Sequence, residues 1–134
     1  MQVLVDTSVW SLGLRRRKCG ESGEVIRLKE LIADGRVEII GAVRQEILSG
    51  IRESRQFDRL RLALEPFPDV AIETSDYEDA ARICNACQVA GIVTGTVDCL
   101  IASVSMRNGW ELLTTDLDFT HMASCVDLRL HRLS

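Results

Sequence analysis

The chain has 134 residues, 46% hydrophobic and 27% charged, which is enough for one good core and leaves no room for a second. Aromatics supply only 4%, so Leu, Ile, Val and Ala fill the interior, a composition that suits helices layered on a parallel sheet. The formal net charge of −4 weighs against a general polyanion binder. The run Arg15-Arg16-Arg17-Lys18 softens that exclusion, as would acids neutralised by a metal.

No apolar run approaches the roughly 18 residues that span a bilayer, and Met1-Gln2-Val3-Leu4 carries no basic leader. The expected location is the cytoplasm, with no membrane partner. Five cysteines form an odd count, which points to reduced thiols rather than a disulfide framework. No repeat or linker divides the chain, so residues 1–134 are expected to form a single domain.

Val3-Leu4-Val5 reads as a buried strand ended by the polar cluster Asp6-Thr7-Ser8. A helix can start over Val9 to Leu14, followed by the basic loop. Ser22 is a plausible cap for the next helix, with Val25, Leu28, Leu31 and Ile32 on one face and Gly35 as its stop. Val37 to Ile40 is a second short strand. Ala42 to Leu48 is helical with Glu46 inside it, and the helical pattern continues from Ile51 to Leu64 until Pro66 and Pro68 end it. Val70 to Ile72 can form a third strand. Ser75-Asp76-Tyr77-Glu78 matches a capping box for a helix reaching about Ala90, with Tyr77, Ala80, Ala81, Cys84 and Cys87 along one stripe.

The stretch Gly95 to Ala102 opens a helix in which Val97, Leu100, Ile101 and Val104 recur at helical spacing, with Asp98 in its first turn. Asn108-Gly109 should stop it. Trp110 to Thr114 reads as a fourth strand ended by Asp116-Leu117-Asp118, Phe119 to Ala123 as a short helix and Val126 to Leu130 as an edge strand. The alternation predicts an α/β fold, a mostly parallel central sheet flanked by helices on both faces.

In such sheets ligands bind beyond the carboxyl ends of the strands. Asp6 and Asp116 fall just past strand ends, and Glu46 and Asp98 lie in the first turns of helices that could begin at that edge. Four acids from distant positions are thus expected to converge. Two carboxylates about 4 Å apart repel by around 4 kcal/mol at an effective dielectric near 20, and a cation removes that strain. Hard oxygen donors without histidine or cysteine select Mg2+ or Mn2+. The matching chemistry is metal-assisted phosphodiester hydrolysis.

Val3 to Ser8, Glu46 in a helix, Val97 to Ala102 and Leu112 to Phe119 resemble, in order and spacing, the successive motifs of a PIN-domain ribonuclease. The resemblance covers nearly the whole chain and extends to the VapC toxins of bacterial toxin–antitoxin pairs. It implies a PIN-like, Rossmann-like three-layer sandwich and a Mg2+- or Mn2+-dependent endoribonuclease. It also implies a homodimer blocked by a cognate antitoxin. Asp6, Glu46, Asp98 and Asp116 fall on the family's metal-binding acids, with Asp118 a less certain fifth. Thr7 and Thr114 are supporting hydroxyls, and Arg15, Arg16, Arg17 and Lys18 are where RNA phosphates would be met. Thr94-Gly95-Thr96 departs from the pattern by lacking a basic residue.

Blander readings compete at each position. Asp118 is more simply the cap of the helix before Phe119, and Cys84-Asn85-Ala86-Cys87 reads as buried, inert thiols. Trp10 and Trp110 read as core or dimer packing before base stacking. The arginines from Arg52 to Arg61 read as a solvated face before an RNA track, or equally as an antitoxin dock. A phosphoryl-acceptor domain or a haloacid-dehalogenase-type phosphatase would need a lysine late in the chain, and none follows Lys29. A PIN-like binding module that has lost hydrolysis, or an RNA-processing nuclease outside any toxin system, remain as alternatives.

Overall fold

The computed structural model describes residues 1–15 and 20–133. Strand β1 (Val3–Val5) is entirely buried and lies at the centre of a parallel sheet of order β2-β1-β3. Val3 sits opposite Val37 of β2 (Val37–Glu38), while Leu4 and Val5 sit opposite Leu112 and Leu113 of β3 (Glu111–Leu113). Helices flank the sheet, as the alternation of elements predicts. They are α1 (Thr7–Leu14), α2 (Gly23–Ala33), α3 (Gly41–Leu48), α4 (Ser54–Leu64), α5 (Thr74–Val89), α6 (Thr96–Asn108) and α7 (Leu117–Ala123).

The two outer strands expected at Val70 to Ile72 and Val126 to Leu130 are reduced to single parallel bridges, Asp69 with Ile39 and Leu130 with Leu112. Near the first, the Arg107 guanidinium takes the Ala71 carbonyl at 3.1 Å, so that carbonyl serves a side chain rather than a ladder. The second is held by Leu112 N–H to Arg129 and His131 N–H to Leu112. Helix α4 begins at Ser54 rather than Ile51 because Gly50 takes a φ of +84°, a left-handed turn that ends α3.

Helix α5 also starts one residue before the expected box. Its first turn is closed by Asp76, which accepts from the Glu73 N–H at 2.9 Å, and Ser75 is not the cap. The buried face runs through Asp76, Ala80, Ile83 and Cys87, rotated from the expected stripe, and Tyr77 is 57% exposed. That rotation follows from a tertiary pair: Asp76 is fully buried against Arg107 of α6, whose Nε donates to its Oδ1 at 2.5 Å. Burial alone would raise the Asp76 carboxyl, but the Arg107 hydrogen bond, the Glu73 N–H and the guanidinium charge hold it below the usual aspartate range.

Helix α6 is the central helix. Every residue from Cys99 to Ser105 is buried, so it is enclosed all round rather than along one stripe. Its two buried serines are satisfied: Ser103 donates to the Asp76 carbonyl at 2.8 Å and Ser105 to the Trp110 carbonyl at 2.9 Å. Gly109, at φ +67°, ends the helix as expected. The core thus fixes where the N-terminal turn of α6 meets the carboxyl edge of the sheet.

Candidate functional site

Asp6 is the first residue past β1 and the N-cap of α1. It is 5% exposed, and its Oδ2 carries the hydrogen bonds that such burial demands. Ser8 Oγ donates to it at 2.7 Å and Thr114 Oγ1 at 2.9 Å, with the Ser8 N–H at 3.4 Å. Those hydroxyls are oriented in turn by the backbone after β3. The Thr115 N–H donates to Ser8 Oγ at 3.1 Å and the Asp116 N–H to Thr114 Oγ1 at 3.0 Å. Asp6 Oδ1 takes no donor among the described residues.

Glu46 lies in the second turn of α3, and Thr7 Oγ1 donates to its Oε1 at 2.8 Å. Thr7 and Thr114 therefore both hold a carboxylate. Ser8, which was not singled out in the sequence, holds Asp6 more closely than either expected threonine could suggest. Its signal was present in the Asp6-Thr7-Ser8 spacing, where a hydroxyl two residues past a capping aspartate can fold back on it.

Asp116 caps α7, its Oδ1 accepting from the Asp118 N–H at 2.9 Å. The reading of Asp118 as the cap is thereby corrected. Asp118 stands in the first turn of α7, and its own carboxylate faces the acids. One carboxylate oxygen from each of Asp98, Asp116 and Asp118 lies within 4.8 Å of the other two. At Asp98 the N-cap residue is Gly95, and a Cβ there would come 3.4 Å from Asp98 Oδ2.

Burial raises the Asp98 carboxyl, and the charges of Asp6, Asp116, Glu46 and Asp118 raise it further, to about 6. Four carboxylates thus bear on Asp98. None of the five acids has a Lys, Arg or His within ion-pair distance among the described residues. The donor set is all oxygen, with neither histidine nor cysteine among it. That set fits a small hard divalent cation, Mg2+ or Mn2+, better than zinc.

Arg15 closes α1 as its C-cap and is exposed beside α4, while Arg16, Arg17 and Lys18 lie outside the described residues. Trp10 is 2% exposed and meets Phe67 edge-on at 5.1 Å, so it belongs to the core and neither to a base-stacking platform nor to an exposed dimer surface. Cys87 is fully buried, and burial, then the neighbouring thiols, push its thiol up, which fits the inert reading at that position, whereas Cys84 is only partly buried.

The profile of the PIN domain family matches residues 3–124. A VapC ribonuclease of Mycobacterium bovis is 30% identical over 129 residues, covering 95% of this chain and 96% of its own length. Among solved structures, the FitAcB structure from Neisseria gonorrhoeae superposes with a TM-score of 0.77 at 17% identity, over 98% of both chains. VapBC2 from Rickettsia felis, bound to a DNA fragment from its promoter, gives 0.78 at 16% identity, again over 98% of both.

Proposed function

The chain belongs to the PIN-domain family and is of the VapC type, and on that premise we propose that it is a metal-dependent endoribonuclease acting as the toxin of a toxin–antitoxin pair. The observation that carries the metal dependence is the convergence of Asp98, Asp116 and Asp118 within 4.8 Å, beside Asp6 and Glu46, with no cation to offset them among the described residues. We assign Asp6, Glu46, Asp98 and Asp116 as the residues that would hold one or two Mg2+ or Mn2+ ions, with Asp118 completing the set.

When bound, such an ion activates water and stabilises charge on the phosphoryl and leaving oxygens. The chain's own residues prepare that site. Ser8 and Thr114 fix Asp6 through Oδ2 and leave Oδ1 without a donor among the described residues, while Thr7 holds Glu46. Asp116 is anchored by its own capping bond. A carboxylate set fixed in this way needs little reorganisation when it binds or when charge develops. RNA is the proposed substrate and the cytoplasm its location. A homodimer and a cognate antitoxin that covers the site follow from the VapC reading, and the fold shared with VapBC2 supports the latter.

The test is cleavage of a mixed RNA pool by antitoxin-free protein with Mg2+, with Mn2+ and with EDTA, beside Asp98→Asn. Cutting that requires both the metal and Asp98 is expected. Cutting that survives EDTA, or metal-dependent cutting by Asp98→Asn at the wild-type rate, would overturn the assignment. Folded protein that binds RNA without cutting it would favour the binding-module reading.

A further inference from the structure

The arginines of this chain are divided between two situations. Arg27, Arg44, Arg61, Arg82 and Arg107 each face a carboxylate at ion-pair distance. Seven others do not, among the described residues, and three of these seven, Arg15, Arg55 and Arg59, line one open cavity of about 570 Å³ with Glu53 and Gln56. Gln56 Oε1 accepts from Arg59 Nε at 3.1 Å, which orients that guanidinium without neutralising it. Three guanidinium groups thus stand against one carboxylate, in a chain whose overall charge is −4.

A second cavity of about 270 Å³ shares Arg15 and Gln56 with the first and reaches Glu46, with Ser11 also on its wall. Glu46 stands beside the acids, held at 2.8 Å by the hydroxyl of Thr7, the residue that follows Asp6. The two cavities adjoin at Arg15 and Gln56, so that Glu46 stands at one end of the pair and Arg55 and Arg59 at the other. Leu14, Ile51 and Leu60 add apolar surface to the second cavity, suited to the faces of unpaired bases.

We propose that the Arg15, Arg55 and Arg59 pocket binds a backbone phosphate of the single-stranded RNA substrate, across the adjoining cavity from the bond cut at the acid cluster. This rests on the endoribonuclease reading. The guanidinium fork matches phosphate geometry and stays charged at any working pH. Five clustered acids repel a polyanion, so a strand that reaches them needs cationic anchorage nearby, and this pocket adjoins, through Arg15 and Gln56, the cavity that Glu46 lines. A protein dock would not require that adjacency.

The experiment is fluorescence anisotropy of a labelled mixed-sequence single-stranded RNA over a salt series in EDTA, followed by cleavage of the same RNA with Mg2+. Wild type is compared with Arg55→Gln/Arg59→Gln, with the charge-preserving Arg55→Lys/Arg59→Lys, and with Arg82→Gln as a control for net charge. For single strands each lost phosphate contact lowers the slope of log K against log salt by about 0.7. The glutamine pair should lose that much or about twice it, bind roughly tenfold more weakly at low salt, and raise KM more than it lowers kcat. The lysine pair should keep the slope, and Arg82→Gln should match wild type.

An unchanged slope and affinity in the glutamine pair, beside a wild type that binds and cuts RNA, overturns the pocket and leaves the nuclease reading intact. A wild type that neither binds nor cuts RNA with either metal overturns both. If the glutamine pair keeps the RNA slope but no longer copurifies with its antitoxin, the pocket is a protein dock and the proposal fails.

Discussion

The two ends of α6 hold aspartates in opposite electrostatic situations. At its C-terminal end Arg107 reaches Asp76, which is fully buried and held below the usual aspartate range. At its N-terminal end Asp98 meets four more acids and no cation among the described residues, and its carboxyl is raised to about 6. A buried carboxylate given a partner within the fold supports the structure. One denied a partner and crowded by like charges weakens the fold unless something from outside compensates it. The difference separates a structural aspartate of α5, paired at one end of α6, from a functional one carried at the other end.

The largest expected effect is at the paired end. Arg107→Ala would strand a buried carboxylate and should cost about 3 kcal/mol, lowering the thermal midpoint by roughly ten degrees. Adding Asp76→Asn should recover part of that loss, which thermal unfolding of the double variant would show. A loss no larger than that of an exposed pair such as Arg82 with Asp79 would break the contrast.

At the other end, Ser8→Ala removes the 2.7 Å hydroxyl from Asp6 and should cost about 1 kcal/mol of stability. Its larger consequence should be a loss of about 10- to 100-fold in Mn2+ affinity, read by calorimetric titration. Thr114→Val should act in the same direction. Equal Mn2+ affinity in wild type and both variants would show that Asp6 needs no such orientation.

The pH profile of the metal-free protein should carry both signatures with opposite sign. Asp76, depressed in the fold, contributes stability that is present above the ordinary aspartate pKa and lost as pH falls through its folded value. Asp98, raised in the fold, takes up protons that the unfolded chain releases, so stability should decline as pH rises from about 4 through about 6. Asp98 is partly solvated, so that second arm should amount to about 1 kcal/mol or less. Chemical denaturation across pH 3 to 7 would show a maximum near pH 4, and Mg2+ should flatten the upper arm alone.

The sequence was most legible where a local signal and the packing agreed. Val3 to Val5 forms the central strand, Ser22 caps α2 by accepting from the Val25 N–H at 3.3 Å, and Gly109 ends α6. The acids were legible because residues just past strand ends share one edge of a parallel sheet whatever the details of the helices. The box at Ser75 and the stripe through Tyr77 failed because a contact 31 residues away, Arg107 on Asp76, set the rotation of α5. Local pattern cannot report which buried charge will find a partner. The same reason hid the arginine pocket beside α4, which depends on how α1 packs, whereas the grip of Ser8 on Asp6 is local and its signal lay in the Asp6-Thr7-Ser8 spacing.

The most direct measurement is thermal unfolding of EDTA-treated wild type and Asp98→Asn at pH 7, each with and without Mg2+. If the acids form an uncompensated cation site, the asparagine variant should be more stable than wild type without metal, by about 1 kcal/mol or a few degrees. Mg2+ should raise the wild type and move the variant far less. A variant that melts below wild type without metal, together with equal Mg2+ shifts in both, would contradict the account.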